Sequence, residues 1–469
     1  MGCACSKNRK WWAVSWLLKL TLAGLALASV VAQAEEAARP QRDVLAERGY
    51  RLLTTTPYLP PDFDQQTFDE LWRCWEPAAR ERAEKASPAE RRRMAFQRYG
   101  LVDNPDRPGG VALQYVDDGH GNWVMNCLAC HQGTVAGRVI PGVANSQFDL
   151  QTLIEEVRTT KLRAGKPLAH LDRASLLMPL GGSIGTTNAV MFGKFLLAYR
   201  DRELVVHKDR PRPELVNHDH DAPAWWLLKR KTHLYCDGFA PKGHRALMQF
   251  LLIPSNGPDR FRSWENDYRA ILAWIESLEA PPWPGTVDRS LAERGKVAFE
   301  RVCAECHGTY GSNGHWPEKI VPLDVVGTDP VRLRSLGLEG RKRYAASWFT
   351  GDTELPTIVE PAGYVAPPLD GVWATAPYLH NGSVPTLWHI LHPDDRPRIW
   401  RRTADGYDES KVGLEVTAYE KMPDGLSGAS PRRQVFDSRL PSKSAAGHRV
   451  ADELDESERS AVLEYLKTL

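Results

Sequence analysis

The sequence has few cysteines, no surplus charge of either sign and no long apolar run beyond its first residues. Eight cysteines spread over 469 residues are far too sparse for a disulfide scaffold. Sixty basic residues stand against 59 acidic ones, so no global field draws in nucleic acid. No phosphate loop, dinucleotide fingerprint or nucleophile elbow occurs, which removes the common nucleotide-binding and hydrolase signatures. Apolar residues at 42% and charged residues at 25% exclude disorder as the dominant state. The length exceeds what one hydrophobic core usually serves, so two domains or one elaborated domain is expected.

The longest apolar stretch lies at the N-terminus. Lys7, Arg9 and Lys10 precede a run from about Ala13 to Val31, interrupted by Lys19. It closes in Ala32-Gln33-Ala34, followed by Glu35-Glu36. A basic segment, a short apolar segment and a small-x-small site describe a secretory signal peptide over residues 1–34. Lys19 leaves the uninterrupted run too short to span a bilayer comfortably. The reading expects a bacterial periplasmic or secreted protein with no stable membrane span after cleavage.

The sparse cysteines carry the chemistry through their placement. Cys127-Leu128-Ala129-Cys130-His131 and Cys303-Ala304-Glu305-Cys306-His307 share one frame, the attachment signature of c-type haem. The two thiols add across the haem vinyl groups, and the adjoining histidine falls under the iron as proximal ligand. A redox dithiol does not need the adjoining histidine, and a zinc site wants further Cys or His pairs close by. The expected cofactors are therefore two covalently bound haem c groups, with His131 and His307 on iron.

The chain also reads as two halves. Leu-Ala-Glu-Arg-Gly occurs at Leu45–Gly49 and again at Leu291–Gly295, each copy opening an amphipathic helix. The second leads directly into Cys303, whereas a long insertion separates the first from Cys127. Tyr268, Ile271, Leu272, Ile275 and Leu278 predict a closing helix over 265–279. Residues 455–468 predict another, with Asp455 or Ser457 as its cap. A helix before the haem motif and one at the end is how a cytochrome c domain packs its termini together. Pro281-Pro282-Trp283-Pro284 reads as the linker. The expected fold is mainly α, with two cytochrome c-type haem domains, 35–284 and 285–469, carrying long loops and insertions.

At this point the sequence resembles a family. Two c-type haem motifs in one exported chain resemble the bacterial di-haem cytochrome c peroxidase superfamily, and within it the rubber-oxygenase-like branch. The most specific stretch runs from Ala366-Pro367-Pro368-Leu369-Asp370-Gly371 through Tyr378-Leu379-His380-Asn381-Gly382 to Leu387. Asn126–His131, Ile140-Pro141-Gly142, Pro223–Leu228, Ala446-Gly447-His448 and the terminal Leu463–Leu469 support it, while residues 50–110 carry little of it. The resemblance implies O2 or peroxide reacting at the N-terminal haem and electron exchange through the C-terminal one. The external redox partner would be a small cytochrome or cupredoxin. A pure electron carrier and a dioxygenase acting on an apolar substrate are the alternatives, because kinship of fold does not fix the substrate.

The sixth ligands separate these readings, since an occupied position favours electron transfer and an open one admits O2 or peroxide. Where related peroxidases carry a methionine ligand for the second haem, this chain has Asp394. The rubber-oxygenase branch uses a C-terminal histidine in a Gly-His context, which His448 matches. Met422, His380, His389 and His392 remain competitors. Where those peroxidases carry a distal histidine at the first haem, this chain has Gln147, which points to an open site; His170, His218 and His220 are the histidines that could fold over it. The run His218-Asp219-His220-Asp221 reads as a solvated loop, and Arg91-Arg92-Arg93 as a solvated helix face. Trp225-Trp226 and Tyr235 are either core or part of the distal pocket or electron path. Cys74 and Cys236 either pair or stay free.

Overall fold

The computed structural model describes residues 41–469, excepting the side chains of 404 and 405; the segment read as a signal peptide lies outside the described residues. The helices that frame the site are α1 (41–55), α2 (Leu128–His131), α3 (Glu265–Ser277), α4 (Arg289–Val302), α5 (Ala304–His307) and α6 (Glu456–Leu466).

The repeated pentapeptide has one structural purpose in both places. A Cβ on Gly49 would sit 2.0 Å from the carbonyl oxygen of Ala270 in α3, and one on Gly295 would sit 1.9 Å from that of Ala461 in α6. Only glycine lets the helix backbones approach so closely. Aromatic residues beside each crossing fill the flanks: Tyr50 lies 5.3 Å from Trp274 between ring centroids, and Phe299 lies 5.3 Å from Tyr465. The helix ends are set locally. Asp288 caps α4 by accepting from the Leu291 amide, and Asp455 and Glu458 form a capping box at the start of α6.

Three apolar clusters fill the interior. The insertion before Cys127 builds one of them from Phe63, Phe68, Phe96 and Trp123, joined by Leu153 from beyond the motif, and Ala129 of the first motif packs into it. A three-stranded antiparallel sheet of Phe63–Asp64, Asn122–Met125 and Tyr115–Asp117 lies there. The second cluster joins α1 and α3 to Trp225, Leu228, Phe239 and Met248, with Cys127 packed against it.

The third cluster contains the α4–α6 crossing, Trp226, Trp373 and Trp400, with Cys303 packed against it. It takes in the hairpin of β1 (Gln132–Val135) and β2 (Arg138–Pro141) from the first half. It also takes in the antiparallel sheet of β3 (Ile399–Asp408), β4 (Gly413–Tyr419) and β5 (Val435–Asp437), with β3 central. Chain order and packing thus differ at 284/285. The proline-rich connection is pinned as well, since the Trp373 indole donates to the Pro281 carbonyl at 2.8 Å.

Candidate functional site

Each Cys-x-x-Cys-His motif is a single helical turn with its first cysteine as the cap residue. The turn places the two thiols at i and i+3 on one face, with the histidine beginning the next step. The two histidines are then oriented identically. His131 Nδ1 donates to the Pro223 carbonyl at 3.1 Å, and His307 Nδ1 donates to the Pro367 carbonyl at 2.9 Å. A donor at Nδ1 leaves Nε2 as a lone pair, the tautomer a metal-bound imidazole needs. Burial pushes His131 down to about 4 and lowers His307 as well, so both rings are neutral near pH 7.

The cysteines do not fit a thiolate site. Burial pushes the thiol of Cys127 up to about 11 and those of Cys130 and Cys303 up to about 12, the reverse of a reactive or zinc-binding pair. Among the described residues, no three His, Cys, Asp or Glu side chains gather to hold a metal ion. Free thiols, a single-turn frame and an oriented neutral imidazole together fit a covalently attached haem.

At the second motif the structure brings one further histidine into place. The His448 ring faces that of His307 at 6.0 Å between centroids, with planes 61° apart. That separation would let both imidazoles hold one metal ion between them. His448 Nδ1 is buried without a hydrogen-bond partner. The loop carrying it is tightly specified. Gly447 has φ +78°, and a Cβ there would meet the Gly327 carbonyl carbon at 2.2 Å, which explains the Gly-His pairing. Arg396 clamps the same loop, donating through Nη1 to the carbonyls of Ala445 and Gly447 at 2.7 Å each and through Nη2 to that of His448 at 3.3 Å.

The competitors are engaged elsewhere. His389 Nδ1 lies 2.7 Å from the Thr386 hydroxyl, His392 stacks on Trp388 at 4.0 Å, and His380 stacks on Tyr364 at 4.3 Å. Met422 is half-buried in the loop after β4, and Asp394 pairs with Arg449.

The surroundings of His131 differ. Trp225 stacks on its ring at 4.3 Å and 17°, which puts that indole beside the proximal ligand rather than opposite it. His170 turns to Asp62 at 3.7 Å. Gln147 lines a cleft of about 540 Å³ together with Trp75, Trp400 and Arg402.

The solvated-loop reading of residues 218–221 is corrected. His218 and Asp219 are 1% exposed, and His220–Asp221 pairs as a short strand with Thr186–Thr187. Asp219 meets Lys443 at 3.0 Å and accepts from the Gly182 amide, so its charge is compensated on burial. The arginine run is corrected in part. Arg91 and Arg92 tether neighbouring loops through the Ala86 and Gly110 carbonyls, and Arg93 alone is exposed. Cys74 and Cys236 are both free.

A chain of contacts joins the two histidines. Trp225 stacks on His131, and its neighbour Trp226 donates to the Asp370 carbonyl at 2.7 Å. The Leu369 amide donates to Tyr310 Oη at 2.7 Å, and that hydroxyl donates to the His307 carbonyl at 3.0 Å. Tyr310 lies three residues after His307, but its tie to Leu369 and the clamp of Arg396 on the His448 loop had no local signal in the sequence, because those partners are remote in the chain.

These features describe a cytochrome c-type arrangement, and comparison with known proteins agrees. A family model described as "RoxA-like, cytochrome c-like" matches residues 363–401, the stretch that supplies the Pro367 carbonyl and His380. A cytochrome c-like segment implies haem c and supports a haem-based oxidoreductase. Among curated proteins, the chain is 31% identical over 239 residues to the uncharacterized protein y4iM of Sinorhizobium fredii, covering 42% of this chain and 53% of that protein. It is 30% identical over 258 residues to the uncharacterized protein y4iJ of the same organism, covering 41% of each. The chain thus matches about half the length of these relatives or less. Among the described residues no helix is long and apolar enough to cross a membrane.

Proposed function

We propose that the protein is an exported di-haem c-type cytochrome oxidoreductase. One haem is attached at Cys127 and Cys130 with His131 as proximal ligand. The other is attached at Cys303 and Cys306 between His307 and His448. The haem supplies the redox chemistry when bound, and the protein supplies ligands, access and electrostatics. The observation that carries this reading is the asymmetry between the motifs. An imidazole faces His307, whereas the ring packed beside His131 is the Trp225 indole, and where related peroxidases carry a distal histidine the sequence has Gln147.

In this reading the N-terminal site is where O2 or peroxide reacts, and the C-terminal site stores or passes electrons. The Pro223 and Pro367 carbonyls hold each proximal imidazole in one tautomer. Arg396 positions the His448 loop. The Trp225–Trp226–Asp370–Tyr310 chain connects the two proximal residues, and a small cytochrome or cupredoxin is the external partner.

The test is optical. Purified protein should contain two covalent haems per chain, and carbon monoxide, cyanide or peroxide should perturb one of them. If neither haem binds an added ligand in either oxidation state, the protein is an electron carrier. Turnover with peroxide and a reduced cytochrome then separates a peroxidase from an oxygenase.

A further inference from the structure

Buried charge concentrates at one place that neither motif uses. Arg332 and Arg341 are 1% and 3% exposed. Both reach the same oxygen of buried Asp237, Arg332 through Nη1 at 3.2 Å and Arg341 through Nη2 at 2.7 Å. Arg341 Nη2 also donates to the Leu333 carbonyl. One carboxylate therefore serves two guanidiniums, so each has only half of a direct ionic partner. Arg332 Nε and Nη2, Arg341 Nη1 and the hydroxyls of Tyr235 and Tyr344 are all buried without a hydrogen-bond partner. The unpartnered acceptors beside them are fewer, Asp237 Oδ1 and, towards Tyr344, Asp352 Oδ1. Nearby His218 Nε2 and His220 Nδ1 also lack partners. Burial, together with the charge of Arg332, pushes His220 and His380 down, so these rings are neutral and add no charge.

An unpartnered buried donor forfeits the hydrogen bond it would make to water, and an unpaired buried charge costs more still. So many at one locus mark the place of an anion. Two guanidinium forks select a planar oxyanion over a point ligand. The locus lies at the edge of the apolar cluster against which Cys127 packs. The Arg332 guanidinium lies 5.7 Å from the Tyr235 ring centroid and that of Arg341 lies 5.3 Å from the Phe239 centroid, while Tyr235 and Phe239 stack at 4.8 Å. A ligand for this place has an apolar body and a carboxylate at its rim.

We propose that Arg332, Arg341, Tyr235 and Tyr344 form a buried carboxylate site whose occupant is a propionate of the haem attached at Cys127 and Cys130. The inference rests on the di-haem reading above. The alternative source of the same chemistry is a free carboxylate from solution.

The test uses the full-length, haem-loaded protein and its Arg332→Gln and Tyr235→Phe variants. It measures covalent haem per chain, the midpoint potential of each haem, and the dependence of both on added acetate. Arg332→Gln is expected to keep two haems and shift the N-terminal haem's potential downward, because a lost positive charge disfavours the reduced state. Tyr235→Phe, which removes only a hydroxyl, is expected to shift it less in the same direction, and it keeps the test open if Arg332→Gln does not fold. Acetate should have no effect. Potentials unmoved in both variants with haem retained overturn the proposal, as does a shift confined to the C-terminal haem. An acetate-dependent potential that vanishes in Arg332→Gln assigns the site to a free carboxylate and overturns the propionate. Absence of covalent haem at Cys127 and Cys130 in the unaltered protein defeats the di-haem reading itself.

Discussion

Single side chains decide what each proposed haem site can do. His448 lies opposite His307, so His448→Ala should leave both covalent attachments intact and open the C-terminal haem. Carbon monoxide, which is expected to bind one haem per chain in the unaltered protein, should then bind two. Arg396→Met removes the donor from five carbonyls, those of His389, Ile390, Ala445, Gly447 and His448. It should destabilise the fold by about 2 kcal/mol or more and convert part of the C-terminal haem to high spin in electron paramagnetic resonance. His389 is buried beside Thr386 and pushed down to about 4, from about 6.5 in an unfolded chain. A depressed histidine binds its proton less readily when folded than when unfolded. Stability should therefore fall as pH drops from about 6.5 towards about 4, by about 1.4 kcal/mol per unit from this group at most. Melting temperatures across that window, compared between the native protein and His389→Gln, measure the contribution.

Elements depend on how closely their backbones can approach. Gly295 faces the Ala461 carbonyl at a distance no Cβ tolerates, so Gly295→Ala should force α4 and α6 apart and cost about 3 kcal/mol or more in denaturant unfolding. Gly193 lies within the helix Ala189–Ala198 with nothing within 4 Å of an added Cβ. Gly193→Ala should therefore be neutral or stabilise by about 0.5–1 kcal/mol. Opposite signs for the same substitution would show that the crossing, not helix propensity, sets the cost. The repeated pentapeptide could be read as a helix start from residues alone, and the caps at Asp288 and Asp455 follow from local chemistry. The crossing partner of each glycine could not be read, because Ala270 and Ala461 carry no distinguishing feature in the sequence.

Across the whole molecule, the two motifs are linked through residues that straddle the apolar clusters. Trp225 packs in one cluster and Trp226 in the other. Trp226→Phe should lose the hydrogen bond to the Asp370 carbonyl and slow electron equilibration between the haems several-fold, with haem content unchanged. Rapid-mixing reduction followed at both haems would detect this, and an unchanged rate would remove Trp226 from the path. The packing also crosses the proline-rich connection, since one apolar cluster draws residues from both sides of it. The β1–β2 hairpin belongs to the first half by chain order and to the second by its apolar contacts.

The sequence alone determined the chemistry that depends on local spacing. Two thiols and a histidine within five residues form the haem attachment signature wherever the chain goes, and the Gly447-His448 context marked His448, ahead of Met422, His380, His389 and His392, as the candidate to meet His307. It also determined the helices whose periodicity and caps are local. Only the tertiary structure decided what depends on distant partners. Burial of His218–Asp221 required Lys443 and the Gly182 amide. Asp237 meets Arg332 and Arg341 across 95 and 104 residues of chain. Charge compensation in a low-dielectric interior is a property of neighbours in space, and no spacing along the chain encodes it.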